Sequence, residues 1–487
     1  MNLTNEPWIP AVRGDGTRHL FGLHELFAQA HELRDLCVKP HERIALMRLL
    51  LCITQAALDG PADEADWEEC RPRIQPRVKD YLEKWKAKFE LFGDDDRFLQ
   101  AKPGILGSAT PVMENEGITR LNLNMASGES NATVFDNAAS DWREFTPSEA
   151  ALSLLAYQCF SPLLGRGYKG RSPCADSSML HTFLRGCSLL ETIHLNVLNT
   201  VDIADSYGEN PDDRPAWEVF CGKQLSKATE QSLTSGYLGR LVPLTRSIWL
   251  ESPTAMRLAN GLVYDGIHDS GYREAAATVL ATKKGHIVLP AKLDRAVWRD
   301  LLAVCVKNKN RQENASGPIA FKNPFHAKDI SIWAAGIVSE QAKIREVVEA
   351  FYVIPASFLD DALGRAAYER GISHAEKAES LLEKAVAEYA KALQSKAPTA
   401  KAKQHFWTRV EQGLSALFDI ARDLTSDEEL PASDWGRAVR RAARDAYEQS
   451  CPRQTPRQIQ AYALGLRRLN AAPKSKSAKP KKGTSHE

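Results

Sequence analysis

Apolar residues first settle into helical spacing at Leu46, Leu49, Leu50 and Ile53, which predicts a helix over residues 44–58 that stops before Asp59-Gly60-Pro61. Ahead of it, Trp8-Ile9-Pro10 and the turn residues Arg13-Gly14-Asp15-Gly16 predict a short hairpin, followed by a helix over 20–30. Thr146-Pro147-Ser148-Glu149 is a capping box with proline at the first helical position, so a helix starts there and carries Leu154, Leu155 and Gln158. Residues 104–141 are rich in Gly, Ser, Asn and Thr, and a stretch that long without periodicity is usually functional or disordered. Between 200 and 293, short apolar runs at 247–250 and 286–289 predict strands. Val297, Leu301 and Val304 make one face of a helix starting at Asp294, and a polar, basic loop follows over 307–314. A strand-like or irregular patch from Ile319 leads to Ser339, which is placed to cap a helix carrying Ile344, Val347, Val348 and Phe351.

After Pro355 the pattern changes to long amphipathic runs dominated by Ala, Glu, Lys and Arg. Segments 358–394, 404–424, 434–449 and 455–469 are separated by Ala397-Pro398, Pro431 and Cys451-Pro452, which favours an antiparallel four-helix bundle. The expected fold class is therefore α+β. An irregular mixed α/β N-terminal domain occupies 1–357, a four-helix bundle 358–470 and a basic flexible tail 471–487.

Composition narrows the function. The 487 residues are 43% hydrophobic, enough for two or three domains with a substantial core. No apolar run spans a bilayer and Met1 to Pro7 lacks the features of a signal peptide, so a cytoplasmic location is expected, with no membrane partner. Nine cysteines occur without a C-x-x-C pair and read as reduced, mostly buried thiols. The net charge of +1 means that any nucleic-acid contact must be local, and the lysines that crowd the last residues read as keeping a flexible tail solvated.

One local candidate stands out. Gly165, Arg166, Gly167, Tyr168, Lys169, Gly170 and Arg171 combine glycines that let the main chain approach a ligand with cations and an aromatic face. The stretch nearly matches a nucleotide-hydrolase phosphate loop, with Arg171 where lysine is needed. Such a loop follows a strand and opens a helix, however, whereas this one follows a helix and runs into Pro173. On composition alone a solvated helix terminator is as good a reading as a binding loop.

Taken with the opening Met1-Asn2-Leu3, Trp8-Ile9-Pro10, the 126–135 loop and Ser339-Glu340-Gln341-Ala342, the glycine-rich loop resembles the CasA family, the large subunits of the type I-E CRISPR Cascade. The resemblance runs nearly end to end and includes the order of parts. It implies a non-catalytic subunit that recognises the protospacer-adjacent motif in double-stranded DNA, mainly from the minor groove. It also implies that the subunit begins duplex unwinding for guide-RNA pairing (R-loop formation) and helps recruit the helicase-nuclease. The implied partners are target DNA, crRNA, the other Cascade subunits and that helicase-nuclease. The implied DNA-binding residues are Gly165, Arg166, Gly167, Tyr168, Lys169, the pair Lys283 and Lys284, and the glutamine wedge Gln341 with Ala342 beside it. A loop near the crRNA end and DNA entry maps onto residues 127–135, including Asn131, Ala132, Thr133 and Phe135. A lysine finger of the family has Arg257 as its nearest counterpart. A cysteine-rich zinc loop found in some relatives has no counterpart between Trp249 and Tyr272, so neither metal nor other cofactor is expected.

The alternative is a metal-dependent hydrolase of the HD type, prompted by His268-Asp269. Such a site needs further His and Asp ligands, and no spacing groups His181, His194 and His286 with that dipeptide.

Overall fold

The computed structural model describes residues 1–94, 96–107, 112–123, 143–161, 169, 172–175, 178–266, 274–307, 314–326, 329–340, 343–360 and 362–470. The chain divides into two compact units, Met1–Asp360 and Asp361–Glu487. Among the described residues no helix is long and apolar enough to cross a membrane.

Among the described residues, the first unit mixes helices with four three-stranded antiparallel sheets. Its opening hairpin pairs Ile9–Arg13 with Arg18–Phe21, as the turn residues predict, and Leu33–Leu36 adds a third strand. The central helix, Pro40–Leu58, is longer at its start than the apolar spacing marked, because Pro40 opens it and Glu42 accepts the Lys39 N–H at 3.1 Å. Its end is sharp: Asp59 and Gly60 both take left-handed φ, +58° and +66°. Ile44, Leu46, Leu49, Leu50 and Ile53 are wholly buried, and each such side chain contributes about 1.5–3 kcal/mol of burial. The helix Pro147–Phe160 starts at the Thr146 capping box, with the Glu149 N–H donating to Thr146 Oγ1 at 3.3 Å and the Thr146 N–H to Glu149 Oε2 at 2.8 Å.

Expectation and structure part at several places in this unit. The segment after Ser339 is not a helix. Asp329–Glu340 and Lys343–Pro355 form a long antiparallel hairpin, with Trp333 opposite Phe351, and His181–Arg185 pairs with its first strand. Ile344, Val347, Val348, Phe351, Tyr352, Val353 and Ile354 are β-branched or aromatic, and an equally β-favouring partner, Ile330 to Val338, lies just upstream. Apolar spacing alone does not separate these outcomes. The region 200–293 carries the expected strands at Arg246–Leu250 and Gly285–Val288, but four helices precede them: Thr200–Tyr207, Ala216–Val219, Lys227–Ser235 and Tyr237–Leu241. Within 104–141, Val112–Gly117 pairs with Ala255–Asn260. The expected helix after Asp294 is a 3-10 turn, Val297–Asp300, running into Leu301–Val304.

The second unit is helical: Ala362–Leu393, Thr399–Glu411, Leu414–Arg422, Asp434–Ser450 and Pro456–Leu469. The predicted segment 404–424 is broken at Gln412-Gly413, where a β-carbon on Gly413 would sit 3.2 Å from that of Ala438. Trp435 is wholly buried and its indole N–H donates to the Gly371 carbonyl at 2.9 Å. Gly465 has no room for a side chain: a β-carbon there would lie 2.6 Å from the Ala385 carbonyl, so glycine lets these helices close on each other.

Candidate nucleic-acid interface

A two-residue turn carries Lys283 and Lys284 at the tip of the hairpin Val279–Thr282 and Gly285–Val288, with Thr282 paired to Gly285. Gly285 has φ +117°, which this tight turn requires. Thr282 Oγ1 donates to the Gly285 carbonyl at 2.7 Å and accepts the Lys284 N–H at 3.2 Å, fixing the turn from inside. Both lysines are exposed and neither has a carboxylate partner among the described residues, so their charge is available to a phosphate.

Gln341 and Ala342 lie outside the described residues, but their supports do not. Glu340 pairs with Lys343, so these two residues are the connection at the end of the long hairpin. Ser339 donates its N–H to Ser178 Oγ at 3.0 Å. Sequence reasoning placed Gln341 at the start of a helix, but the residues that follow, Lys343–Pro355, form a strand.

The glycine-rich loop is described only at Lys169. Its N–H donates to Asn260 Oδ1 at 2.9 Å and its carbonyl accepts Arg246 Nη1 at 3.1 Å, while its side chain is exposed. Arg246 is wholly buried, and Gln158, on the helix before the loop, bonds both its N–H and its carbonyl, at 3.0 and 2.9 Å. Beyond the loop, Ser172 Oγ donates to the Cys159 carbonyl and accepts the Cys174 N–H at 3.3 Å. Gly165, Arg166, Gly167 and Tyr168 lie outside the described residues, as do Asn131, Ala132, Thr133 and Phe135.

These three stems share one support, a strap made of residues 172–175 and 178–181. Ser172 and Cys174 hold the glycine-rich loop, and Ser178 holds the long hairpin. Met179 bridges Pro290, and the Leu180 N–H donates to the Leu289 carbonyl at 3.0 Å, which steadies the base of the lysine hairpin. His181 closes the strap: its Nε2 meets the Cys174 carbonyl at 3.0 Å, and its backbone pairs with Ala335 on the long hairpin. Sequence reasoning missed Ser178, Arg246 and Asn260. Ser178 takes φ +59°, which its type does not signal, and a charged residue opening an apolar run reads as solvated.

Under the strap lies a buried charge cluster. Arg48 Nη2 contacts Glu274 Oε2 at 2.9 Å and Arg240 Nε donates to Glu274 Oε1 at 3.0 Å, with all three residues buried. Burial disfavours the Arg48 charge, but the Glu274 carboxylate paired with it opposes this, and its pKa is raised. Desolvation, aided by the Arg48 charge, lowers His181 to about 4, so the imidazole is neutral at pH 7.

The histidines do not converge. His181 lies in the strap, His194 is stacked on Trp67 with Nε2 meeting the Trp67 carbonyl at 2.9 Å, and His286 is exposed on the lysine hairpin. His268 and Asp269 are outside the described residues. Among the described residues no group of three His, Cys, Asp or Glu could hold a metal ion. Arg257 is paired locally, with Nε 2.7 Å from Glu251 Oε1.

Solved structures share this architecture. Thermus thermophilus CasA matches with a TM-score of 0.74 at 22% identity, covering 96% of this chain and 98% of that one. Thermobifida fusca Cse1 matches equally, with a TM-score of 0.74 at 22% identity over 96% and 98%. A chain of a CRISPR RNA-guided surveillance complex matches with a TM-score of 0.72 at 18% identity over 97% and 99%. The fold is thus that of the CasA/Cse1 proteins. In sequence, the CRISPR-associated protein CasA/Cse1 of Thermus thermophilus is 29% identical over 388 residues, covering 74% of this chain and 72% of the relative. The family model for CRISPR-associated protein Cse1 matches residues 2–446, and the chain belongs to that family.

Proposed function

We propose that this chain is the large subunit of a type I-E Cascade, an RNA-guided surveillance complex, and that it reads the protospacer-adjacent motif in double-stranded DNA and begins strand separation. The observation that carries this reading is the shared strap of residues 172–175 and 178–181, which ties the supports of a basic hairpin, a hairpin ending in Gln341-Ala342 and a glycine-rich loop to one another. Lys283, Lys284 and Lys169 supply phosphate contacts, which position the duplex without reading its sequence. The glycine-rich loop, Gly165 to Lys169, fits its main chain to the minor groove. That groove distinguishes A·T from G·C poorly, so a loop matched to its shape tolerates several motifs and rejects some by clash.

Gln341, with Ala342 beside it, enters a base step from a sheet that does not yield. Unstacking costs a few kcal/mol, offset by guide pairing and backbone contacts. The 127–135 loop, with Asn131, Ala132, Thr133 and Phe135, faces the crRNA end. The subunit has no catalytic centre of its own; cutting belongs to a helicase-nuclease that it helps recruit from the cytoplasm. The test is assembly: the chain is added to the remaining Cascade subunits and guide RNA, and binding is compared on duplexes that differ only beside the protospacer. Discrimination that appears with the chain supports the reading, and metal-dependent cutting by the pure chain, abolished by His268→Ala, overturns it.

A further inference from the structure

Two side chains that face each other across a strand pair hold one residue of the glycine-rich stretch by both of its main-chain groups. Arg246 and Asn260 are opposite residues in the antiparallel pairing of Arg246–Leu250 with Ala255–Asn260. Asn260 Oδ1 accepts the Lys169 N–H at 2.9 Å, and Arg246 Nη1 donates to the Lys169 carbonyl at 3.1 Å. Backbone N–H and C=O groups are usually satisfied by other backbone, in helices, sheets and turns. At Lys169 a cross-strand pair of side chains takes both, which fixes its main chain against the sheet while its side chain stays exposed.

The clamp is anchored in turn. Arg246 is wholly buried and Asn260 is 2% exposed. Gln158 bonds the Arg246 N–H and carbonyl, and its Nε2 also donates to the Leu99 carbonyl at 3.1 Å. Gln158 belongs to the helix Pro147–Phe160, the element that leads into the glycine-rich stretch. On the other strand, Ser247 Oγ donates to the Asn260 carbonyl at 2.7 Å, and a β-carbon on the adjacent Gly261 would lie 2.4 Å from the Leu244 carbonyl, so the main chain beside Asn260 has no room to shift. Burying a guanidinium and an amide is costly, and an apolar cross-strand pair would fill the same position without that cost. What the polar pair adds is the grip on Lys169.

We infer that Asn260 and Arg246 are positioning residues for motif reading: by fixing the main chain at Lys169 they set where the glycine-rich loop meets the duplex. The inference rests on the DNA-reading function proposed above for that loop. A loop that rejects duplexes by clash discriminates only while its position is held, and once released at Lys169 it yields to a groove it would otherwise refuse. Loss of the clamp therefore shows in the ratio of affinities for permitted and rejected motifs. The salt dependence, which counts phosphate contacts, stays as it was.

The test uses the full chain, free and assembled with the remaining Cascade subunits and guide RNA. Asn260→Ala removes the acceptor, and Asn260→Asp keeps an oxygen in its place. Ser247→Ala removes a bond within the same sheet but leaves the clamp, so it controls for a general loss of stability. Loss of one hydrogen bond corresponds to roughly 5-fold. Asn260→Ala is accordingly expected to quicken exchange of the Lys169 amide in the free chain, and to lower the permitted-to-rejected affinity ratio of the complex, each by roughly that factor. Asn260→Asp is expected to restore both, and Ser247→Ala to move neither. An unchanged ratio in Asn260→Ala, beside a wild-type complex that discriminates, overturns the inference alone. A wild-type complex that does not discriminate overturns the reading of the loop and the inference with it. Should Asn260→Ala fail to fold, the wild-type chain still decides: a Lys169 amide that exchanges as fast as an unprotected one overturns the inference without any variant.

Discussion

Ser339, one residue before the end of its strand, donates its backbone N–H to Ser178 Oγ at 3.0 Å, and Ser178 holds a left-handed φ of +59° to receive it. A side chain on the strap thereby steadies the hairpin close to Gln341. Ser178→Ala removes the acceptor, and one such bond is worth about 1 kcal/mol, so exchange of the Ser339 amide is expected to quicken by roughly 5-fold. Hydrogen exchange resolved to that amide checks it.

Phosphate contact and base separation should part in kinetics. Lys283→Ala with Lys284→Ala is expected to weaken binding to all duplexes alike and to flatten the plot of log affinity against log salt by about 2, one for each lost phosphate contact. Gln341→Ala is expected to slow strand opening more than it weakens first contact. Binding titrations at several salt concentrations and a fluorescent reporter of base opening, both on the assembled complex, separate the two.

The Arg48, Glu274 and Arg240 cluster joins the central helix to Tyr237–Leu241 and to the chain leading into the lysine hairpin. Glu274→Ala leaves two guanidinium groups buried without their carboxylate, and the expected loss is about 3–5 kcal/mol of stability. The shift of the urea midpoint measures it.

Acid stability is set by opposing groups. Burial lowers His41 and His181 from 6.5 to about 4, so both favour the fold when neutral: their contribution is full above pH 6.5 and is lost as the pH falls through about 4. Burial raises Asp213 from 3.8 to about 6, so its contribution runs the other way, full below pH 3.8 and lost as the pH rises through about 6. His41→Leu is expected to lessen the fall in stability between pH 6.5 and 4, and Asp213→Asn to remove the fall between pH 4 and 6. Chemical denaturation across this range measures both.

What the sequence made legible was local. The Thr146 capping box, the helix stop at Asp59-Gly60 and the breaks at Pro398, Pro431 and Pro452 act within a few residues of themselves, and the elements they punctuate are present. The long hairpin was missed because Ile344, Val347 and Val348 satisfy helical spacing as well as strand propensity, and only the pairing with the preceding strand decides. Of the candidate site, Lys283-Lys284-Gly285 could be read as a basic turn. The strap could not: Ser178 with Ser339, and Arg48 with Glu274, meet only through the fold.

The most direct measurement is strand opening by complexes assembled with and without this chain, on target duplexes that differ only in the bases beside the protospacer. With the chain present, opening is expected on duplexes with a permitted motif and not on those with a rejected one, and without it that difference should vanish. Equal discrimination by complexes lacking the chain would contradict the account.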